Sequence, residues 1–281
     1  MNPAGILSGI GAALSWGSGD FGAGIASRKA TPLATLAVSQ AVGLAVAIAM
    51  LAVGGEPSPG PVSLTWAVLA GASGAGCLLA LYHGLATRPM GVISSIAAVV
   101  GVVLPVLTGA LTGDRLRPQD LVGIGLAIVA IALVTRPTGK LTIDRTGLML
   151  AILSGAGAAG FFIGMGRSTA AGGATWWPIA AARSTSLLLA ALLTVGRGKG
   201  RETIRSVSPL LVAVGVLDMA GHAFFLLAES QAALSLAVVV SSQYPAVTAA
   251  LAAVALAQRP SRIQAAGILM ALGGIALIST A

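Results

Sequence analysis

Apolar runs of about 20 residues follow one another along the chain, ten of them in 281 residues, separated by connections too short to fold by themselves. As a helix, each run is long enough to cross the roughly 30 Å hydrocarbon core of a bilayer. The predicted spans are 4–26, 33–53, 65–87, 90–111, 119–135, 147–167, 175–195, 208–229, 232–256 and 263–280. Helix is the required state. Lipid offers no partner to free backbone groups, and the polar/apolar alternation of a membrane barrel is absent. Proline and glycine punctuate the ends, at Thr31-Pro32, Pro57 to Pro61, Arg88-Pro89, Arg136-Pro137 and Ser208-Pro209. The predicted fold class is therefore all-α, a membrane protein of ten transmembrane helices.

Composition removes the alternatives. Hydrophobic residues make up 56% of the chain and charged residues 9%, against about 25% charged in a soluble domain. So few charges cannot cover a soluble surface. The net charge of +8 does not point to nucleic acid, because the basic residues sit in short connections where they set orientation. The connections after spans 1, 3, 5, 7 and 9 hold twelve of them: Arg28, Lys29, Arg88, Arg136, Lys140, Arg145, Arg197, Lys199, Arg201, Arg205, Arg259 and Arg262. The other side holds only Arg115, Arg117 and Arg167, and Arg183 falls inside span 7. This bias puts the first group in the cytoplasm and both termini outside, as in a multi-pass protein of the cell's inner (plasma) membrane. The single cysteine, Cys77, lies in an apolar run, so neither an intrachain disulfide nor a thiolate metal site is expected. Met1 to Ala4 carries no Lys or Arg, which argues against a cleavable signal peptide. No cofactor, metal or nucleic-acid partner is expected, only lipid and a small molecule.

The two halves resemble each other. A shift of 144 sets Asp114-Arg115 over Gln258-Arg259 and Gly123-Ile124 over Gly267-Ile268; a shift of 142 sets Gly5 over Gly147 and Gly22 over Gly164. A five-span unit is odd, so tandem copies must lie upside down relative to each other, with opposite charge bias in equivalent connections. The connection after span 2 has Glu56 and no basic residue, whereas its counterpart after span 7 has four. The expected units are 1–137 and an inverted 138–281, together one transport unit. Inverted repeats of this kind build many secondary transporters, with a site near the midplane.

Three stretches also resemble a known family. Trp16-Gly17-Ser18-Gly19-Asp20-Phe21, the run Ser241 to Thr248, and Arg259 through Gly267 are similar to EamA-type members of the drug/metabolite transporter superfamily, over nearly the whole chain. The resemblance implies ten spans in two five-helix halves around a central cavity. It also implies a secondary carrier, often an exporter of amino acids or related metabolites. Members often have Gly-Glu-Arg before the last helix of each half; here Asp114-Arg115 and Gln258-Arg259 stand in those places.

Ionisable groups inside a membrane are costly and are functional candidates by default. They are Asp20 in span 1, Arg183 in span 7 and Asp218 in span 8, with His222 one turn after Asp218 on the same face. At 1.5 Å per residue, Asp218 and Arg183 lie within about 3 Å of the same depth. They are expected to pair or to compete for a charged group on the substrate, with Asp20 as the second candidate partner. A carboxyl there could couple transport to a proton gradient, with Asp218 the first candidate and His222 a relay. The alternative for the pair is a fixed structural bridge, and for His222 a hydrogen bond to a neighbouring carbonyl. Ser241, Ser242, Gln243 and Tyr244 form the longest polar run in any span, and Pro245 after them should break the helix and shape a site. Trp16, one turn before Asp20, could stack on an organic cargo or simply pack. Trp16, Asp20, Arg183, Asp218, His222, Ser242, Gln243 and Tyr244 thus form the expected substrate and proton site. Ser94 and Ser95 are a weaker counterpart, and His83 reads as interfacial. Trp176-Trp177-Pro178 reads as an interface anchor. Small residues four apart, such as Gly160 and Gly164 or Gly267 and Ala271, permit close packing within a monomer or a homodimer face.

No Walker loop is present, and Gly17, Gly19 and Gly22 match G-x-G-x-x-G only inside an apolar span that no strand precedes. The leading expectation is a proton-coupled carrier of a small organic solute, not an enzyme. The competing readings are a membrane-embedded enzyme using Asp20, Asp218 and His222 on a lipid-linked substrate, and a non-transporting scaffold.

Overall fold

A computed structural model describes residues 3–111, 118–134, 143–172, 175–231, 240–241 and 243–279. Within them the regular structure is entirely helical. The long helices are α1 Pro3–Lys29, α2 Pro32–Gly54, α3 Pro61–Thr87, α4 Met90–Leu111, α5 Pro118–Val134, α6 Arg145–Ala170, α7 Trp176–Gly196, α8 Pro209–Gln231, α9 Tyr244–Ala255 and α10 Arg262–Ser279. Between α7 and α8 the basic stretch forms a short helix, Gly200–Arg205, which the sequence suggested only as a connection. Lys199 stands 3.8 Å from Glu202 across its first turn.

The ends follow from the punctuating residues. Thr31 accepts the Ala34 N–H at 3.0 Å, and Pro32 occupies the first helical position, where its missing N–H costs nothing. Gly55 closes α2 in the left-handed conformation, φ 60°, with its N–H returned to the Leu51 carbonyl. Asp144 starts α6 by accepting the Gly147 N–H at 2.9 Å.

By length and composition, α2, α3, α6, α7 and α8 (to Ala228) are able to cross a membrane. Shorter apolar stretches run through Met90–Pro105, Leu121–Ala130, Tyr244–Ala255 and Arg262–Leu277. The long α1 is less apolar than these because Gly, Ser and Asp20 interrupt it. Large apolar side chains such as Leu14, Leu153, Val216 and Leu227 are exposed on the outside of the bundle, as a lipid-facing surface requires.

The most extensive interfaces are α3 with α6 and α1 with α8, followed by α5 with α10 and α4 with α6. Replacing helix n by helix n+5 turns α3–α6 into α8–α1 and α4–α6 into α9–α1, and it leaves α5–α10 and α2–α7 unchanged. Close approach of α6 to α3 uses missing side chains. A Cβ on Gly157 would fall 2.8 Å from the Cys77 nitrogen and one on Gly164 2.9 Å from the Ala70 Cβ, while Gly160 lies against Ser73. The spacing of Gly160 and Gly164 therefore serves packing within the chain.

Candidate functional site

Polar side chains converge where α1, α2, α7 and α8 meet. Arg183 of α7 is 6% exposed. Gly43 of α2 makes room for it, since a Cβ there would lie 3.2 Å from the arginine Cδ. One turn earlier, Gln40 accepts from Arg183 Nη1 at 3.1 Å. Arg183 Nη2 meets Asp218 Oδ2 at 2.6 Å, the pairing that equal depth in the membrane favours. Asp20, the second candidate, has no salt-bridge partner among the described residues; Arg183 pairs with Asp218 instead. It faces Ser94 of α4 and is influenced by the Asp218 carboxylate. Asp20 Oδ2, Gln40 Nε2, Ser94 Oγ, Ser95 Oγ and Asp218 Oδ2 are buried and make no well-aligned hydrogen bond, although Ser94 stands close enough to act on the Asp20 carboxyl and Asp218 Oδ2 lies 2.6 Å from Arg183 Nη2. Such atoms are costly inside a membrane and mark a place where water or a ligand belongs.

His222 Nδ1 is 2.9 Å from the Asp218 main-chain oxygen and 4.0 Å from its carboxylate Oδ1. The carbonyl can only accept, so Nδ1 carries the proton, and the ring is bound first to its own helix. Trp16 Nε1 donates to the same carbonyl at 3.2 Å. The indole meets His222, Phe225 and Tyr244 with ring centroids 5.4, 6.0 and 6.4 Å apart. Gly221 abuts the indole nitrogen with no space for a side chain between them. Trp16 is thus a fixed wall, held by one hydrogen bond and three rings.

These groups face away from lipid. At 100° per residue, Trp16 and Asp20 lie opposite the exposed Leu7 and Leu14 of α1, and Asp218 and His222 lie opposite the exposed Val216 and Leu227 of α8. The partial exposure of the Asp218 and His222 side chains, 19% and 23%, therefore opens toward the bundle interior.

Before α9 the helix is interrupted, as Pro245 predicts. Val240 and Ser241 are helical, Gln243 is a turn, and α9 restarts at Tyr244. Gln243 donates to the Val240 carbonyl at 3.3 Å, and Ala246 donates to the Gln243 carbonyl at 3.0 Å. Thr248 Oγ1 donates to the Gly17 carbonyl at 3.1 Å and fastens α9 to α1. Tyr244 thereby reaches the site through Trp16, and Gln243 occupies the turn just before it. Ser242 lies outside the described residues. His83 is exposed near the end of α3. Trp176 and Trp177, read from the sequence as an interface anchor, tie the start of α7 to the connection after α2: the Trp176 N–H and the Trp177 indole donate to Glu56 Oε2 and the Glu56 carbonyl at 2.9 and 3.0 Å.

Gln40 is the site residue that a search for ionisable groups misses. It is the only amide in α2 and its side chain is buried, so a polar group within an apolar run was the available signal.

The opposite end of α3 carries surface tethers. Arg88 grips Asp144 through two bonds of 2.7 and 2.6 Å. The guanidinium, and then the Gly147 N–H, hold the Asp144 carboxyl well below the usual aspartate range, and Arg88 is raised in return. Gln258, where the resemblance would put an acid, accepts the Met90 N–H at 3.0 Å and caps α4 across the two halves. A neutral amide oxygen makes this contact without the charge assistance a carboxylate would add.

A bundle of apolar helices whose interfaces exchange under n→n+5, with its charges turned inward, has the construction of a multi-pass membrane transporter. Residues 3–136 and 145–280 each match the EamA-like transporter family, and the chain belongs to that family. A solved structure described as "Crystal structure of protein" matches with a TM-score of 0.62 and 20% identity, over 99% of this chain and 96% of that one. That likeness concerns the fold. No curated protein matches the sequence.

Proposed function

We propose that the protein is a proton-coupled secondary carrier of a small organic metabolite. Its halves, 1–137 and 138–281, span the inner membrane ten times in inverted orientation, with both termini outside, and expose a midplane site to each side in turn. One observation carries this reading: a buried, lipid-averted cluster of polar side chains, Asp20, Gln40, Ser94, Ser95, Arg183 and Asp218, several of whose atoms make no well-aligned hydrogen bond. A scaffold gains nothing from unsatisfied polar atoms in its interior, whereas a carrier needs groups free to receive cargo or a proton. The exchange of interfaces between helix n and helix n+5 supports two equivalent halves.

Within the cluster the roles divide. The Arg183–Asp218 pair, braced by Gln40, forms the fixed part. Asp20 has no cation beside it, so we assign the exchangeable proton to Asp20 rather than to Asp218. Trp16, Tyr244 and His222 wall the site, and Gln243 occupies the turn before α9. Resemblance to amino-acid exporters makes outward movement of amino acids or related compounds the first activity to assay. The enzyme alternative has less support: Asp218 is taken by Arg183 and His222 by a main-chain oxygen, so the three proposed acid/base groups do not share a free reacting point.

The test is the purified protein in liposomes under an imposed pH gradient, offered a panel of amino acids and metabolites. Wild-type protein is expected to accumulate one class of solute against its gradient, with protons moving in stoichiometric exchange. Asp20→Asn should retain a folded, monodisperse protein but lose the gradient-driven component. If no solute moves, or if Asp20→Asn stays fully coupled, this reading is wrong.

A further inference from the structure

We propose that the connection between α7 and α8 binds one anionic phospholipid. Its headgroup would rest on the basic side chains around the short helix Gly200–Arg205, with an acyl chain in the apolar groove beside it. This goes beyond the carrier reading and holds whether or not a solute is moved. The cations are the first reason. Arg197, Lys199, Arg201 and Arg205 are all exposed. Glu202 engages only Lys199, at 3.8 Å, and none of the three arginines is in a salt bridge among the described residues. Arg201 and Arg205 lie one turn apart on the same face of the short helix, so both guanidinium groups can reach one phosphate. In other basic connections the arginines are engaged within the chain. Arg28 donates to the Ala86 and Leu85 carbonyls, and Arg88 holds Asp144.

The groove is the second reason. It measures about 570 Å³ and is lined by Val207, Ser208, Pro209, Val212, Ala213 and Val216. It starts two residues past Arg205 and follows one stripe of α8, from Pro209 to Val216, for about 10 Å. The stripe lies on the outer, lipid-facing side of the bundle. Val207 and Val216 are each 51% exposed there, and Ile204 of the short helix is 74% exposed. An acidic protein or a nucleic acid would use the arginines and leave these apolar side chains uncovered. A free phosphate would leave the groove empty. A molecule with an anionic head and an apolar tail fills both, and an anionic phospholipid at the membrane surface is such a molecule.

The discriminating experiment titrates dioleoylphosphatidylglycerol or dioleoylphosphatidylcholine into the detergent-purified full chain and reads bound lipid by native mass spectrometry. The first phosphatidylglycerol is expected to bind about tenfold or more tightly than phosphatidylcholine. Arg201→Gln with Arg205→Gln should weaken it by about thirtyfold, a factor of about five for each cation. Arg259→Gln with Arg262→Gln removes the same charge from another connection and should leave the binding unchanged. Ala213→Trp fills the groove and keeps every charge; it should weaken binding by about tenfold, the equivalent of about two buried CH₂ groups. Circular dichroism and a monodisperse elution profile confirm that each variant is folded, and Val207→Asn repeats the groove test if the tryptophan prevents folding. Equal binding of the two lipids overturns the inference. So does an equal loss with either arginine pair, which would mean diffuse attraction, or binding that ignores the groove variants. Displacement of the lipid by an equal concentration of sodium phosphate overturns it as well, because the site would then hold a free anion.

Discussion

Arg183 is held from two other helices, by Gln40 on α2 and Asp218 on α8, and its burial decides what its removal does. Arg183→Ala leaves a buried carboxylate without its counter-ion and should destabilise the protein by about 3–5 kcal/mol. Removing both charges is milder. Arg183→Met with Asp218→Leu should recover most of the thermal stability, measured in detergent, while liposome uptake stays low because the cluster has lost its shape. Normal uptake by that double variant would reduce the pair to a structural brace. Gly43 tests the same geometry from the other side. The Cβ of Gly43→Val would crowd the arginine from 3.2 Å, with its methyls nearer still. The variant should cost about 1–3 kcal/mol and weaken the Gln40 contact, whereas an exposed apolar site such as Val216 should accept the reverse change, Val216→Gly, with no loss of uptake.

Among the elements, the long apolar helices were legible because a membrane span needs a run of fixed length, and the predicted spans fall within a few residues of α1 to α8 and α10. The Arg183–Asp218 pair was legible too, because two charges at one depth in lipid have few other partners. Depth says nothing about azimuth, so it could not separate Asp20, which faces α4, from a partner of Arg183. Gln40 escaped because an uncharged amide carries less desolvation cost than an ion, and the Glu56 contact of Trp176 and Trp177 escaped because it joins a connection to a helix start about 120 residues away. Asp144 shows what a helix end adds. It caps α6 and bridges to Arg88 at the bundle surface, where it is half exposed. Its folded carboxyl is held below the unfolded value of about 3.9, so the ionised form is favoured by folding. The resulting stability is present above that value and fades as the pH falls through the folded one. Asp144→Asn, which can still cap the helix, should melt below wild type by a constant margin from pH 8 to pH 5, and the margin should close below about pH 4. A margin that grows on acidification would contradict this.

Across the whole molecule, the exchange of interfaces under n→n+5 is incomplete among the described residues: α1–α3, α2–α3, α3–α4 and α4–α10 are among those that lack comparable counterparts, and the first of these has a direction. α1 packs on α3, but the corresponding α6 and α8 make no comparable contact. The α1–α3 closure lies at the end bearing the basic connections. There Arg28 donates to the Ala86 and Leu85 carbonyls at 2.9 and 3.4 Å, and a Cβ on Gly24 would come within 3.0 Å of the Leu85 Cβ. The repeat shift of 142 sets Gly166 of α6 in the place of Gly24. Gly166 has nothing within 4 Å of where its Cβ would be. The two repeat-related glycines therefore differ in packing, Gly24 being held against α3 and Gly166 lying on the exposed face of α6 with Phe162; on the carrier reading, such an asymmetry is what two inverted halves would show if only one end opens at a time. Bulk at Gly166 should then prevent its end from closing and hold the Gly24 end shut. In a Cys77→Ser background carrying Ala86→Cys, a membrane-impermeant maleimide added from the side of the basic connections should label the protein if it cycles as proposed. Arg28→Ala should raise that labelling by loosening the latch, while Gly166→Trp should lower it several-fold and stop uptake without unfolding the protein. Labelling and uptake that ignore Gly166→Trp would mean that the two glycines do not occupy equivalent gates.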